Sequence, residues 1–207
     1  MTVGDIDEAI TQFQKVVETY QNTNDPPWVY GLALVNLSRS YQKKGDYRNA
    51  TDCLEKGIDV FRKSGARGML TDAQLQESEL QLVTSHADLA LASCQKAIQV
   101  AQNLELKPLV AHGLHILGRI NLSLGNYEQA EANLQSSITL AERLNAEYEK
   151  GLAIFYMGQL YSIRRRGKES NRRCRQTLKQ AKAIFTRLGA RADLTQVIQF
   201  QTSLGCE

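Results

Sequence analysis

The chain has 207 residues, of which 43% are hydrophobic, 23% charged and 7% aromatic, with a formal net charge of +3. These ordinary proportions exclude an intrinsically disordered chain. Only three prolines, and few runs of Val and Thr, disfavour a β-sandwich or a β-barrel. A mostly helical protein is the class that remains.

Membrane and secretory segments are not indicated. Every apolar stretch is interrupted within a few positions by Gln, Asn, Lys or Glu, whereas a transmembrane helix needs about 20 largely apolar residues. Residues 1–8 are acidic and lack the basic and apolar blocks of a secretory signal, which predicts a cytoplasmic protein without membrane contact. The cysteines are too widely spaced for a Cys-x-x-Cys pair, and Cys53, Cys94 and Cys174 are expected to be buried free thiols.

Small and apolar residues recur with a period of 40 positions, which indicates a repeat array. Small residues are expected where helix backbones approach each other. The six repeating columns are Ser38, Ser78, Gly118 and Gly158; Gly45, Ser85 and Gly125; Ala50, Ala90 and Ala130; Leu54, Cys94 and Leu134; Gly57, Ala97 and Ser137; and Ile58, Ile98 and Ile138.

Each period splits into two helical patterns around a tight turn. Apolar residues follow the spacing i, i+3, i+4 and i+7 on both sides of Gly45-Asp46-Tyr47 and of Gly125-Asn126-Tyr127. Gly tolerates the left-handed backbone that ends one helix, and Asp or Asn caps the first amides of the next. Each unit is therefore predicted to be an antiparallel helical hairpin.

In chain order, the sequence predicts a lone helix, four hairpins and a final helix that together form one repeat array over 1–207. Gly4-Asp5-Ile6-Asp7-Glu8-Ala9 matches the turn pattern, so its first helix would precede Met1 and the chain is expected to be a fragment of a longer protein. The predicted bounds are 5–21 for the lone helix, 28–63, 69–103, 108–144 and 147–188 for the hairpins, and 191–203 for the final helix.

Two registers stay open. In the second hairpin, Gln74, Glu77 and Gln81 occupy apolar columns, so a rotation of its first helix by one residue would bring Leu75 and Leu82 inward. In the fourth hairpin, the turn falls within 164–174, and a slip of 4 residues would require an extra helical turn or a longer loop. That slip aligns Cys174, Leu178 and Ala181 with Ala130, Leu134 and Ser137.

The pattern Gly-Asp-Tyr-x-x-Ala, followed by a large apolar residue and a small one, resembles the tetratricopeptide repeat in a forty-residue form. The strongest matches are 45–50 and 125–130, and the resemblance covers almost the whole chain. Residues 184–191 are also similar to repeat arrays of large bacterial signalling and regulatory proteins. The resemblance implies an all-α, right-handed superhelical array, a TPR-like α-solenoid, whose first helices line a concave groove.

No sequence pattern points to catalysis. Gly-x-Gly-x-x-Gly, a phosphate loop and Gly-x-Ser-x-Gly are all missing from the sequence, so we predict a protein that is not an enzyme and binds no cofactor. His112 and His115 share one helix face at a spacing that could seat a metal. Because no third ligand is evident, we predict no metal site and interpret both as groove residues that donate and accept hydrogen bonds.

The predicted recognition site is the concave groove, on the face of each first helix opposite its apolar stripe. Mixed polar and apolar residues there suit an extended segment or a helix of a partner protein or peptide. Val35 and Arg39 do not reproduce the columns with which some tetratricopeptide repeats grip a carboxylate, which disfavours a chaperone C-terminal tail. The groove residues are Asn36, Arg39, Gln76, Glu79, His112, His115, Arg119, Tyr156 and Gln159.

Positive charge is concentrated in 164–191, which holds eleven Lys or Arg and one acidic residue, Glu169, for a net charge of +10 that leaves −7 elsewhere. Only Phe185 offers an aromatic platform there, so docking to an acidic protein is favoured over nucleic-acid binding. The predicted basic patch is Arg164, Arg165, Arg166, Lys168, Arg172, Arg173 and Arg175.

The concave groove and the resemblance to repeat arrays predict a protein- or peptide-binding scaffold within a larger regulatory protein. The alternative is a domain that senses a small molecule or signalling peptide and controls a neighbouring effector domain. Nucleic-acid binding through the basic patch is a third hypothesis. The uncapped repeat ends offer a surface for homo-oligomers, because Ile6, Ala9, Phe13 and Val17 would expose an apolar face.

Overall fold

The computed structural model describes residues 3–20, 27–164 and 168–205, and within these ranges it contains ten helices and no strand. The all-α class is therefore confirmed. In this part of the chain, no helix is both long and apolar enough to cross a membrane. The helices are α1 (Val3–Tyr20), α2 (Pro27–Lys44), α3 (Tyr47–Ser64), α4 (Arg67–Val83), α5 (Ala87–Asn103), α6 (Lys107–Ser123), α7 (Tyr127–Arg143), α8 (Glu147–Ile163), α9 (Lys168–Leu188) and α10 (Arg191–Ser203).

The chain divides into two compact units, Met1–Leu106 and Lys107–Glu207. In the first unit, α2 pairs with α3, α4 pairs with α5, α1 packs on α2, and α2 contacts α4. In the second unit, α6 pairs with α7, α8 pairs with α9, α10 packs on α9, and α6 contacts α8. Each unit thus holds two helical hairpins whose first helices lie side by side. A single continuous array over 1–207 stays a prediction.

One of the repeating columns holds only small residues and lies where the two helices of a hairpin come closest. Its members are Ser38, Ser78, Gly118 and Gly158. Ser38 and Ser78 are fully buried. A Cβ atom on Gly118 would lie 2.6 Å from Leu134 Cγ, a separation that real Cβ atoms essentially never show. The approach of α6 to α7 therefore requires a residue without a side chain at this position.

The turns inside the hairpins repeat the left-handed backbone that the sequence predicts. Gly45, Ser85 and Gly125 have φ angles of 85°, 67° and 77°. Asp46 caps α3 by accepting a hydrogen bond of 3.2 Å from the backbone amide of Asn49. Asn126 makes no such cap on α7, and its side-chain amide donates to Asn121 Oδ1 at 3.4 Å. The backbone conformation is common to the repeats, and the side-chain cap is not.

The second hairpin keeps the register of the others. Leu75 is fully buried, in agreement with the prediction that it turns inward. Its column partners Val35, His115 and Phe155 are also buried. No rotation of α4 is needed, because this column faces inward in every repeat.

The fourth hairpin takes the slip of four residues. Cys174, Leu178 and Ala181 are buried to the same extent as the residues that they match in the third hairpin. Helix α9 has 21 residues and α7 has 17, so the four additional residues form an extra helical turn. The turn predicted within 164–174 falls partly on 165–167, which lie outside the described residues.

The prediction of a turn at the start of the chain is wrong. Helix α1 begins at Val3, so Gly4 and Asp5 lie within the helix. Its apolar face is partly covered, because α1 packs on α2, and an ion pair of 2.7 Å joins Lys44 Nζ to Asp7 Oδ1. The residues predicted to form an exposed apolar face are accordingly only partly exposed: Ile6, Ala9, Phe13 and Val17.

Ala130 tests the close packing of the third hairpin. It is fully buried on α7, so we expect Ala130→Leu to lower the free energy of unfolding by about 1–3 kcal/mol, because the added atoms find no room. Urea or thermal unfolding measures the loss. Ala132→Leu, at a more accessible position on the same helix, is the matched control and should unfold like the parent. Equal stability of Ala130→Leu and the parent would contradict the assigned packing.

Glu77 interrupts a column that is otherwise apolar. The other members of this column are Leu37, Leu117 and Met157. Burial, followed by the charge of Glu55, raises the pKa of the Glu77 carboxyl above its ordinary value. A carboxyl with a raised folded-state pKa destabilises the fold above that pKa and has no such effect below its unfolded-state value of about 4.3.

We therefore expect Glu77→Gln to raise the melting temperature at pH 7 and to lose this advantage as the pH falls to about 4. Thermal unfolding of both proteins across this pH range measures the difference. Glu18→Gln, at an exposed position on α1, is the control for removing one charge. A gain for Glu77→Gln that does not change with pH would contradict the raised pKa as its cause.

Candidate partner-binding surface

In the first unit, α2 and α4 bring two further predicted groove residues, Asn36 and Gln76, into contact with Arg39. Its Nη2 donates to Asp72 Oδ2 at 2.6 Å, its Nε donates to Gln76 Oε1 at 3.1 Å, and its Nη1 donates to Asn36 Oδ1 at 3.3 Å. Gln76 in turn donates to Gln42. The Arg39 guanidinium is therefore held by its own chain, and the network joins the first helices of two hairpins.

In the second unit, Tyr156 on α8 is the centre of the predicted groove residues. Its ring lies parallel to that of His115 on α6, with an interplanar angle of 4° and ring centroids 6.2 Å apart. The guanidinium carbon of Arg119 lies 4.6 Å from the Tyr156 ring centroid, which is a cation–π contact. Tyr156 is half-buried and also packs on the hydrophobic core of this unit.

Glu149, in the first turn of α8, connects the two histidines of α6. Its Oε1 lies 3.2 Å from His112 Nδ1, and its Oε2 lies 3.1 Å from His115 Nδ1. Burial acts to raise the pKa of Glu149, but hydrogen bonds to both imidazoles and their charges outweigh burial and hold this pKa below its usual range. The carboxylate is therefore ionised at neutral pH. We call these three residues the His–Glu cluster.

The predicted groove residues differ in exposure. His115 is 1% exposed and Gln76 is 2% exposed, so the prediction that they lie on an open groove wall is wrong. His115 belongs to the column of Val35, Leu75 and Phe155, which is buried in every repeat, and Gln76 directly follows Leu75. The remaining predicted groove residues are half-buried and reach the surface: Asn36, Arg39, Glu79, His112, Arg119, Tyr156 and Gln159.

Glu149 is the residue of this site that sequence reasoning missed. Its column otherwise holds Val29, Met69 and Leu109, so a carboxylate there departs from an apolar pattern. His115 departs in the same way from a column of buried apolar residues. Two polar residues in apolar columns on successive first helices were the available signal.

Much of the basic patch is paired with carboxylates of the same chain. Arg164 donates from Nη1 to Glu131 Oε2 at 2.8 Å and also pairs with Glu128. Arg172 and Arg173 both pair with Glu169, at 3.1 Å and 3.3 Å. Arg175 is exposed. The other predicted members lie outside what the structure describes, Arg165 and Arg166 as whole residues and Lys168 in its side chain.

Comparisons with known proteins agree with this fold of helical hairpins joined by left-handed turns. Two models of the tetratricopeptide repeat match the sequence, one over residues 1–63 and the other over residues 111–143. The chain therefore contains tetratricopeptide repeats. A model described as anaphase-promoting complex subunit 5 matches residues 33–121. Among curated proteins, none matches the sequence.

Several solved structures are similar to this tetratricopeptide-repeat chain. BtubC (BKLC) from P. vanneervenii is 17% identical with a TM-score of 0.67, covering 96% of this chain and 90% of its own. Aspartyl phosphate phosphatase F from Bacillus subtilis is 15% identical with a TM-score of 0.73, covering 98% of this chain and 53% of its own.

A signal transduction ATPase with numerous domains from Pyrococcus horikoshii, described as having a tetratricopeptide repeat sensor, is 15% identical with a TM-score of 0.65. The similarity covers 93% of this chain and 30% of the ATPase. The chain thus spans about half of the phosphatase and less than a third of the ATPase. At these identities the likeness shows a shared fold, and a repeat fold of this type is typically a non-catalytic scaffold for protein interactions.

Proposed function

We propose that this tetratricopeptide-repeat chain is a protein- or peptide-binding module of a larger cytoplasmic regulatory or signalling protein. We further propose that the partner binds to a surface formed by His112, Arg119, Tyr156 and Gln159, the α6–α8 face. The observation that carries this proposal is the Arg119–Tyr156 contact, in which the guanidinium carbon lies 4.6 Å from the ring centroid.

Arg and Tyr side chains are the types that most often dominate binding energy, because they combine a large rigid surface with directional hydrogen bonds. Here the Tyr156 ring is already held by stacking on His115 and by packing on the core. A side chain that is ordered before binding loses less conformational entropy when a partner arrives. The α6–α8 face is therefore pre-organised for recognition.

The corresponding surface of the first unit is the weaker candidate. Three of the five N–H donors of Arg39 are directed at Asp72, Gln76 and Asn36. A partner would have to compete with these contacts. We therefore assign the Arg39 network to the packing of α2 against α4.

The α6–α8 face is tested with peptides selected by display on the immobilised chain, whose affinities are then measured by fluorescence anisotropy. We expect Arg119→Ala to weaken a selected peptide by about 2 kcal/mol, roughly thirtyfold, because the substitution removes an anchoring side chain from the surface. Gln159→Ala should weaken it less. Circular dichroism should show unchanged helicity in both variants.

Arg143→Ala is the matched control, because Arg143 is an exposed arginine on the second helix α7. It should bind the selected peptides like the parent chain. Full affinity of Arg119→Ala, or an equal loss in Arg143→Ala, would contradict the assignment. Tyr156→Ala is unsuitable as the first test, because this side chain also packs on the core, contrary to the prediction that it faces away from it.

We propose that the basic patch docks an acidic protein segment rather than nucleic acid. Phe185, the aromatic residue of this stretch, is fully buried and offers no stacking platform. Arg175 is exposed, and the excess of Lys and Arg in 164–191 attracts an acidic segment.

Fluorescent single- and double-stranded oligonucleotides, titrated with the chain at physiological salt, are expected to show no binding with a Kd of about 1 μM or tighter. The titration is repeated with the chain carrying Arg172→Ala, Arg173→Ala and Arg175→Ala. Tighter binding that the triple substitution abolishes would favour the nucleic-acid hypothesis instead.

A second candidate function is a sensor domain that binds a small molecule or signalling peptide and controls a neighbouring effector domain. The observation that favours it is the His–Glu cluster, which joins His112 of the α6–α8 face to two further ionisable groups, His115 and Glu149. The similar ATPase from Pyrococcus horikoshii is described as carrying a tetratricopeptide repeat sensor. An effector domain encoded next to this chain in the full-length gene would favour the sensor over the scaffold.

A further inference from the structure

We propose that His112, His115 and Glu149 form a binding site for one divalent transition-metal ion of the zinc type. Among the residues that the structure describes, these are the three His, Cys, Asp or Glu side chains whose ligand atoms come close enough to share an ion, all within 4.8 Å of one another. The inference does not depend on the proposed partner-binding function.

The carboxylate oxygen Oε2 of Glu149 has nearly the geometry that a tetrahedral ion needs. It lies 3.3 Å from His112 Nδ1 and 3.1 Å from His115 Nδ1. Zinc bonds to imidazole nitrogen and carboxylate oxygen measure about 2.0–2.2 Å, so two ligand atoms at a tetrahedral ion are separated by about 3.4 Å. Two of the three ligand separations are therefore close to this value before any movement.

The third separation, between the two imidazole nitrogens, requires a modest rotation of the side chains. His112 has room for this rotation, because its side chain is 18% exposed, while His115 is enclosed at 1%. The ring of His115 is oriented by its parallel contact with Tyr156. A neighbour that fixes the orientation of a metal-binding imidazole strengthens a site, as outer contacts do in metal sites generally.

The fold also holds the ligands on rigid elements. His112 and His115 are one helical turn apart on α6, and Glu149 lies in the first turn of α8, which contacts α6. Two imidazoles and one carboxylate suit zinc and its transition-metal neighbours, whereas calcium and magnesium require sets of oxygen ligands. Three protein ligands leave a fourth position for water.

The test uses the full 207-residue chain with its thiols reduced, titrated with Zn²⁺ by calorimetry and with Co²⁺ by absorption spectroscopy. We expect one equivalent of metal to bind and the Co²⁺ complex to show the d–d bands of a low-coordinate site. Mg²⁺ should not compete. Glu149→Gln and His112→Gln should each weaken binding at least tenfold, because each removes or neutralises one ligand.

His86→Gln is the matched control, because His86 is the third histidine of the chain and lies on a turn outside the cluster. It should bind Zn²⁺ like the parent. Cys53→Ser controls for the half-buried thiol and should likewise leave binding unchanged. Circular dichroism verifies that each variant is folded, and His112→Gln carries the test if Glu149→Gln is not.

Three results would overturn the proposal. The first is no stoichiometric Zn²⁺ binding by the folded parent chain. The second is unchanged affinity in folded His112→Gln. The third is a Co²⁺ spectrum with thiolate charge-transfer bands that Cys53→Ser removes, which would assign the ion to cysteine.

Discussion

The close approach of the paired helices within each hairpin is the constraint on which the rest of the structure depends. At Gly118 a single added carbon would overlap Leu134, and at Gly158 it would overlap Leu178, at 2.7 Å. Serine occupies the same position, fully buried, in the first two hairpins. Because only small residues fit there, the register of each hairpin is fixed, and with it the side of the first helix that faces the next hairpin.

This fixed register explains why the His–Glu cluster exists. His115 occupies a column that turns inward in every repeat, and Glu149 occupies a column that is apolar in the other three. A carboxylate or an imidazole in such a position loses water, so it must find a polar partner. The contact between α6 and α8 brings the two together, and His112 adds a second imidazole to the same carboxylate. Two departures from the repeat pattern thus compensate each other.

Repetition made most of the fold predictable, and the details that sequence could not predict involve partners one repeat away. The forty-residue period predicted the left-handed turn at Gly125 and the slip that aligns Cys174. The same period marks Glu149 only as a polar residue in an apolar column, because identifying its partner requires knowledge of which faces of α6 and α8 meet. Arg164 is a similar case, since Glu131 is 33 positions away in sequence. The turn predicted at Gly4 failed because a local motif alone does not distinguish a turn from the first residues of a helix.

Polar contacts between successive first helices follow one plan in both units, but with different chemistry. In the first unit the basic residue is Arg39 and its acidic partner on the next first helix is Asp72, at 2.6 Å. In the second unit His112 and His115 take the basic role, and Glu149 takes the acidic one. A guanidinium has hydrogen-bond donors only and no lone pair to offer, so the Arg39 contact is an ion pair that joins α2 to α4. An imidazole can give up its proton and offer a lone pair, so the His–Glu cluster of the second unit can bind a metal ion. Arg119 occupies the Arg39 column in the second unit, so this unit keeps the guanidinium and differs from the first by the imidazoles and the carboxylate that it adds in other columns.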